Sequence, residues 1–94
     1  MLHILISSPF SCNIDLLFNY FKKNDSLVAV QDGVIIALKN SIFFKKTIQL
    51  NNLYVLNKDL EDRGLSSFLS PNFCLINYDY FVRMTISYSK SISW

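Results

Sequence analysis

Glycine is almost absent from this 94-residue chain, which holds only Gly33 and Gly64. Phosphate-cradling loops of the P-loop or dinucleotide type need glycines where the backbone approaches the ligand, so neither type can be built here. Histidine is scarcer still. His3 stands alone inside an apolar stretch and cannot assemble a metal site by itself, which favours a structural role. The two cysteines, Cys12 and Cys74, have neither the close spacing of a metal centre nor the density of a secreted disulfide scaffold, and a reducing, cytoplasmic setting fits them. No apolar run reaches the roughly 18 residues of a membrane span, and Met1-Leu2-His3-Ile4-Leu5-Ile6 lacks a basic leader, so neither export nor membrane insertion is expected. Charge is also sparse, at 17% of residues against about 25% in ordinary globular chains. The nine basic and seven acidic residues leave a net charge of +2, and the only basic clusters are Lys22-Lys23 and Lys45-Lys46. That is too diffuse for a nucleic-acid footprint, so any link to RNA is indirect.

What the chain has in plenty is apolar surface, with 51% hydrophobic residues including eight Phe and five Tyr. A domain of this size buries only about 60 to 65% of its unfolded surface, so the surplus would leave apolar patches exposed unless another chain covers them. The composition points to an obligate partner, or else to the codon bias of its genome.

Four strand-sized apolar runs are present: Leu2 to Ile6, Leu27 to Val30, Leu53 to Leu56, and Phe73 to Ile76. Continuous apolar runs of this length suit strands of a parallel sheet covered on both faces. The segments between them supply the helices. Ile14, Leu17, Phe18 and Phe21 recur at i, i+3, i+4 and i+7, with Asp15, Asn19 and Lys22 opposite. A second helix is expected after Asp32, a third from Asn57 to near Gly64, and a fourth carrying Phe81, Val82 and Thr85 on one side. The alternation predicts one α/β domain over residues 1–94, an open and mainly parallel sheet flanked by helices in three layers, flavodoxin-like in outline. Lys39 to Asn52 has no clean period and is read as a hairpin or an extra helical turn. The tail from Ser89 to Trp94 is polar apart from Ile92 and Trp94, and Trp94 could dock on its own domain or on a partner.

In such sheets ligands bind beyond the carboxyl ends of the strands, which places Ser7, Ser8, Gln31, Asp32, Asn57 and Asn77 on one rim. Ser7, Ser8 and Ser11 could hold a phosphate as a mononucleotide site, but Pro9 removes one amide donor, and turn formation is the simpler reading. Asp32, Asn57 with Asp59, and Asn77 with Asp79 read as turn and helix-capping residues. Arg63 before Gly64 and Arg83 on the fourth helix could pair with an acidic partner surface. Cys12, near the start of the first helix, is the one candidate for covalent chemistry, because helix amides would lower its thiol pKa and make a sulfur carrier possible. Cys74, within an apolar run, reads as an inert core residue. No cofactor or metal ligand set is indicated.

An ordered series of short signatures goes further. Met1-Leu2-His3, Ser8-Pro9, Gln31-Asp32-Gly33-Val34, Tyr54-Val55-Leu56-Asn57 with Asp59-Leu60, Arg63-Gly64-Leu65, Tyr78 with Phe81-Val82-Arg83 and Thr85, and Trp94 together resemble the TusB, or DsrH-like, family across nearly the whole chain. The resemblance implies a DsrE/DsrH-like fold and a cytoplasmic heterohexamer with TusC-like and TusD-like subunits. It also implies a relay in which persulfide sulfur arrives from a TusA-like carrier and leaves through a TusE-like one toward 2-thiolation of the tRNA wobble uridine. In that family the main sulfur-accepting cysteine lies on the TusD-like chain, so a structural or docking role is implied for this one, with no confident catalytic residue. Leu56-Asn57 and Trp94 favour the tRNA-modifying branch over the sulfur-oxidising one. Two alternatives remain: a sulfurtransferase subunit with Cys12 as carrier thiol, and a flavodoxin-like mononucleotide-binding module.

Overall fold

The apolar runs pair side by side in a computed structural model that describes all 94 residues. Strands β1 (Leu2–Leu5), β2 (Ser26–Ala29), β3 (Leu53–Leu56), β4 (Cys74–Ile76) and β5 (Ser91–Ser93) form one sheet in the order β4-β3-β2-β1-β5, and every neighbouring pair is parallel. Parallel neighbours need a crossover between them. Helix α1 (Ile14–Tyr20) lies between β1 and β2, while a 3₁₀ helix (Gln31–Ala37) and the short α2 (Phe44–Thr47) lie between β2 and β3. Helix α3 (Asn57–Asp62) and a 3₁₀ turn (Ser66–Phe68) precede β4, and α4 (Tyr78–Ser87) leads back across the sheet to β5.

Alternation along each strand divides the core in two. Leu5, Leu27, Ala29, Leu53 and Val55 face Leu17 of α1, Val34 and Ile36 of the 3₁₀ helix, Phe43 and Leu60. Leu2, Val28, Leu56 and Ile76 face Met84 of α4, with Phe81 and Tyr88 packed alongside. Each fully buried side chain of this size contributes roughly 1.5–3 kcal/mol, so both half-cores stabilise the sheet. Three crossovers therefore cover one face, and α4 alone covers the other.

Local chemistry sets the helix ends. Asn13 caps α1, its side-chain oxygen accepting from the Leu16 amide at 3.1 Å. Asn77 caps α4 by accepting from the Tyr80 amide at 2.8 Å. Helix α3 closes as the sequence expects: Gly64 takes φ 66°, its amide donates to the Glu61 carbonyl, and Leu65 donates to Leu60. Gly33 has a different reason to be glycine, because a β-carbon there would overlap the Leu5 carbonyl against which the 3₁₀ helix packs.

Several expectations are corrected, and two open alternatives, at residues 39–52 and at Trp94, are decided. The helix after β2 begins at Gln31 rather than after Asp32 and is 3₁₀, because the close approach at Gly33 keeps the turn tight. Asn57 does not cap α3. It is the first helical residue, and its side-chain amide donates to Glu61 Oε1 at 3.0 Å. Of the two readings of residues 39–52, the helical turn holds: α2 spans Phe44–Thr47, and no hairpin forms there. Cys74 is exposed rather than inert core, since β4 is an edge strand and α4 does not extend over it. The tail contains a fifth strand that its polar composition concealed, and Trp94 docks on its own chain.

That docking rests on a buried polar network. Fully buried His3 on β1 bonds through Nε2 to Asp25 Oδ2 at 2.9 Å, and the Trp94 indole donates to its Nδ1 at 3.2 Å. Asp25 also accepts from the Lys22 amide at 3.0 Å and from the Met1 amino group at 3.1 Å. Burial pushes the Asp25 carboxyl up, but the bonds from His3, the Lys22 amide and the Met1 amine outweigh it and hold the pKa at about 2. A depressed carboxyl contributes stability that is complete above its unfolded pKa and disappears as pH falls through its folded one. Asp25→Asn should therefore lower stability by roughly 2 kcal/mol at pH 7. In urea titrations the difference from the parent should shrink as pH falls through the ordinary carboxyl range and disappear only below about pH 2; equal midpoints at pH 7 would refute this account.

Candidate functional site

The carboxyl ends of β2, β3 and β4 open into a cleft of about 710 Å³ between the start of the 3₁₀ helix, α3 and α4. Its floor is apolar, made by Val30, Leu56 and Phe81, and three amide side chains, Gln31, Asn57 and Asn77, stand at its rim. All three were placed on this edge by the sequence. Tyr78, Lys58, Asp59 and Glu61 complete the wall.

Asp59 fixes the rim's geometry. Its Oδ2 accepts from the Gln31 backbone N–H at 2.6 Å, and Gln31 is held at φ 50°, a left-handed conformation that costs a non-glycine residue roughly 1 kcal/mol. Beside it, Arg63 donates to Asp32 Oδ1 at 3.1 Å from one terminal nitrogen and to the Asp59 carbonyl at 3.2 Å from the other. The 3₁₀ helix and α3 are thereby tied together across the top of the cleft. Asp32 is thus an ion-pair partner rather than a cap, and Arg63 is engaged within its own chain rather than awaiting an acidic partner. Lys58 pairs with Asp62 at 3.1 Å, and that hydrogen bond raises its pKa. Arg83, in contrast, is exposed, with its guanidinium 5.8 Å from the Tyr80 ring centre.

The serine-rich turn after β1 lies apart from the cleft. Its amides are spent within the chain: Ser7 donates to the Trp94 carbonyl, Phe10 to Ser8 Oγ, and Ser11 to the Ser8 carbonyl. A phosphate there would have to displace these bonds, and the capped start of α1 at Asn13 is farther along. Turn formation accounts for Ser7, Ser8 and Ser11 without a ligand.

Cys12 is half-buried one residue before that cap and packs against the larger half-core. Burial pushes its thiol pKa up, against a weaker lowering from a backbone hydrogen bond. Activation by the start of α1 is weak here: the helix has only seven residues, and its Leu16 amide is turned to Asn13. No cluster of three or more His, Cys, Asp or Glu side chains converges anywhere in the molecule. Sequence reasoning missed Asp25, which sits in an ordinary polar turn, and the role of Asp59 as anchor of Gln31. Only the spatial neighbours of these two carboxylates reveal what they do.

Large apolar side chains stand outside both half-cores. On α4, Tyr78 and Ile86 are 64% and 77% exposed, and on the opposite face Phe10 and Ile42 are 67% and 78% exposed. Phe10 leans on Phe43 with ring centres 5.1 Å apart, so this second patch is continuous with the larger half-core.

Comparison with known proteins matches the architecture and the residues together. The family model described as DsrH like protein matches residues 7–91. A Protein TusB of Buchnera aphidicola from Acyrthosiphon pisum is 43% identical over 95 residues, covering all of both chains, and that of Buchnera aphidicola from Schizaphis graminum is 45% identical over the same span. The Protein TusB of Pectobacterium parmentieri is 39% identical, again with full coverage of both chains. Among solved structures, the ychN protein from E. coli superposes with a TM-score of 0.73 at 12% identity, covering 99% of this chain and 97% of its own. Protein Tm0979 from Thermotoga maritima gives 0.64 at 24% identity, covering 96% and 97%. These two likenesses establish the fold.

Two tests follow from the site geometry. Gln31→Gly removes the left-handed strain and should raise stability by up to about 1 kcal/mol in chemical denaturation, whereas Gln31→Val should lower it by at least about 1 kcal/mol; the opposite order would show that the Asp59 bond does not hold a strained residue. In the isolated chain a thiol reagent should modify exposed Cys74 well before Cys12, and Cys74→Ser should remove the fast phase. A fast phase that survives Cys74→Ser would make Cys12 the reactive thiol.

Proposed function

The chain belongs to the DsrH-like family, and on that premise we propose that it is a docking subunit of a sulfur relay that passes persulfide sulfur toward 2-thiolation of the tRNA wobble uridine. The observation that carries this reading is full-length similarity, at 43% and 45% identity, to proteins named TusB. In this reading residues 1–94 act as one DsrH-like domain in the cytoplasm, within a heterohexamer that contains TusC-like and TusD-like chains. TusA-like and TusE-like carriers meet the assembly, and tRNA is reached only through it. No helix is long and apolar enough to cross a membrane, which is compatible with that setting.

A docking role is supported by what Cys12 offers. A relay cysteine must present a thiolate to an incoming persulfide: the thiolate attacks the outer sulfur, the donor's S–S bond breaks, and the donor leaves as a thiolate. Burial works against that step at Cys12 by raising its pKa. The exposed aromatic and aliphatic side chains on α4 and around Phe10 suit surfaces that other subunits cover. The cleft at the carboxyl ends of β2 to β4 then belongs to the surface on which the assembly receives its carriers.

The test is co-expression with TusC-like and TusD-like chains, mass determination of the purified assembly, and a tRNA 2-thiolation assay with Cys12 intact or replaced by serine. The expected outcome is a heterohexamer whose activity changes less than about twofold in Cys12→Ser, a difference under about 0.4 kcal/mol in barrier. Loss of activity in an intact hexamer would assign the carrier role to Cys12. Failure of the three chains to associate would remove the proposal.

A further inference from the structure

His3, Asp25 and Trp94 do more than fill the core, because their hydrogen-bonding roles are compatible with only one protonation state of the imidazole. An indole N–H can only donate, so the 3.2 Å bond from Trp94 Nε1 requires His3 Nδ1 to carry no proton. The ring proton is then on Nε2 and is donated to Asp25 Oδ2 at 2.9 Å. A second proton would have to go on Nδ1, where it would face the indole N–H as one donor against another. We propose that this triad is a proton-sensitive latch: protonation of His3 at Nδ1 expels the Trp94 indole and loosens strand β5 from the edge of the sheet.

The groups around the ring decide which bond gives way. On the Nε2 side stand the Asp25 carboxylate and, on its other oxygen, the Met1 amino group at 3.1 Å. Asp25 remains ionised far below neutrality, so it can keep its bond to an imidazolium. On the Nδ1 side are Trp94 and, 6.0 Å beyond it between ring centres, the Tyr20 ring. The end of α1 contributes Phe21, whose ring centre is 5.2 Å from that of His3. The backbone partners of His3 on either side, Leu27 of β2 and Ile92 of β5, carry no charge. The only hydrogen bond at Nδ1 comes from the Trp94 indole, which cannot accept one in return, so that contact is the one lost.

The consequence reaches the rim. Trp94 donates its amide to the Ile4 carbonyl at 2.8 Å, and its own carbonyl accepts from Ile6 at 3.0 Å and Ser7 at 3.1 Å. Strand β5 has three residues, of which only Ile92 is even partly buried, so Trp94 is its main anchor. Release of the indole would free the edge of β1 and deprive the β1–α1 turn of the acceptor that holds Ile6 and Ser7.

Trp94 is the sole tryptophan, so its fluorescence reports the latch directly. With the full chain, emission and acrylamide quenching would be followed from pH 8 to pH 5, about the range over which histidines ordinarily change charge. Acidification should shift the emission to the red and raise quenching in a single one-proton transition. Asp25→Asn should move that transition to lower pH, and His3→Gln should abolish it. If His3→Gln does not fold, the parent chain still decides the matter: the indole N–H resonance should move with the same midpoint as the His3 ring signals, and the β5 amides should exchange faster below that midpoint. A Trp94 signal that stays flat between pH 8 and pH 5, or a transition that persists unchanged in His3→Gln, overturns the latch.

Discussion

A parallel sheet has to be covered on both faces, and this chain has little with which to do it. Every strand pair is parallel, so every connection must cross a face of the sheet rather than turn back in a hairpin. Three of the four crossovers pack on the face that holds Leu5, Leu27 and Val55, leaving the ten residues of α4 to cover the other. The uneven layers follow from that allocation, and so do the exposed positions on α4 and the uncovered thiol on edge strand β4. What composition shows as surplus grease becomes, in three dimensions, particular patches at particular places. A partner would find an apolar surface at α4 and a second one near Phe10 and Ile42.

The same scarcity explains the weight carried by a few polar contacts. With few charges available, the two edges of architecture most in need of restraint are each held by a carboxylate. Asp25 gathers His3, the Lys22 amide and the Met1 amine, and through His3 it reaches the last strand. Asp59 holds the left-handed Gln31, while the neighbouring Asp32–Arg63 pair ties the 3₁₀ helix to α3. The Asp32–Arg63 pair is largely exposed and worth under about 1 kcal/mol by itself, so its value is in geometry. The buried Asp25 network is different, since a partner removed there leaves another polar group stranded without water.

Family membership and site chemistry point to the same division of labour. The cleft offers amides and an apolar floor but no thiol, and the thiol nearest a helix start is held back by its own burial. The docking role proposed above asks for surface and shape rather than for a reactive sulfur on this chain. The serine-rich turn, whose spacing invites a phosphate, is committed to its own backbone and to Trp94.

Residues 1–94 carried much of this in their order alone. Apolar runs of four to five residues separated by a 3.6-residue stripe at Ile14, Leu17, Phe18 and Phe21 are local periodicities, and they determined the parallel α/β class, four of the strands and the main helices. The end of α3 was equally legible, because Gly64 adopts a conformation few other residues accept. The rim placement of Gln31, Asn57 and Asn77 followed from the rule that ligand edges lie at strand carboxyl ends. Other features depended on who meets whom across the fold. Ser91–Ser93 is too short and polar to announce a strand, and it becomes one only because β1 presents a free edge and Trp94 finds the His3 ring. Cys74 sits in an apolar run yet ends exposed, since the run lies at an edge that α4 does not cover. Asp25 and Asp59 look like any other turn and helix carboxylates until distant residues are brought to them. Local periodicity is written along the chain, whereas edges, pairings and the burial of single polar atoms arise only when the sheet is assembled.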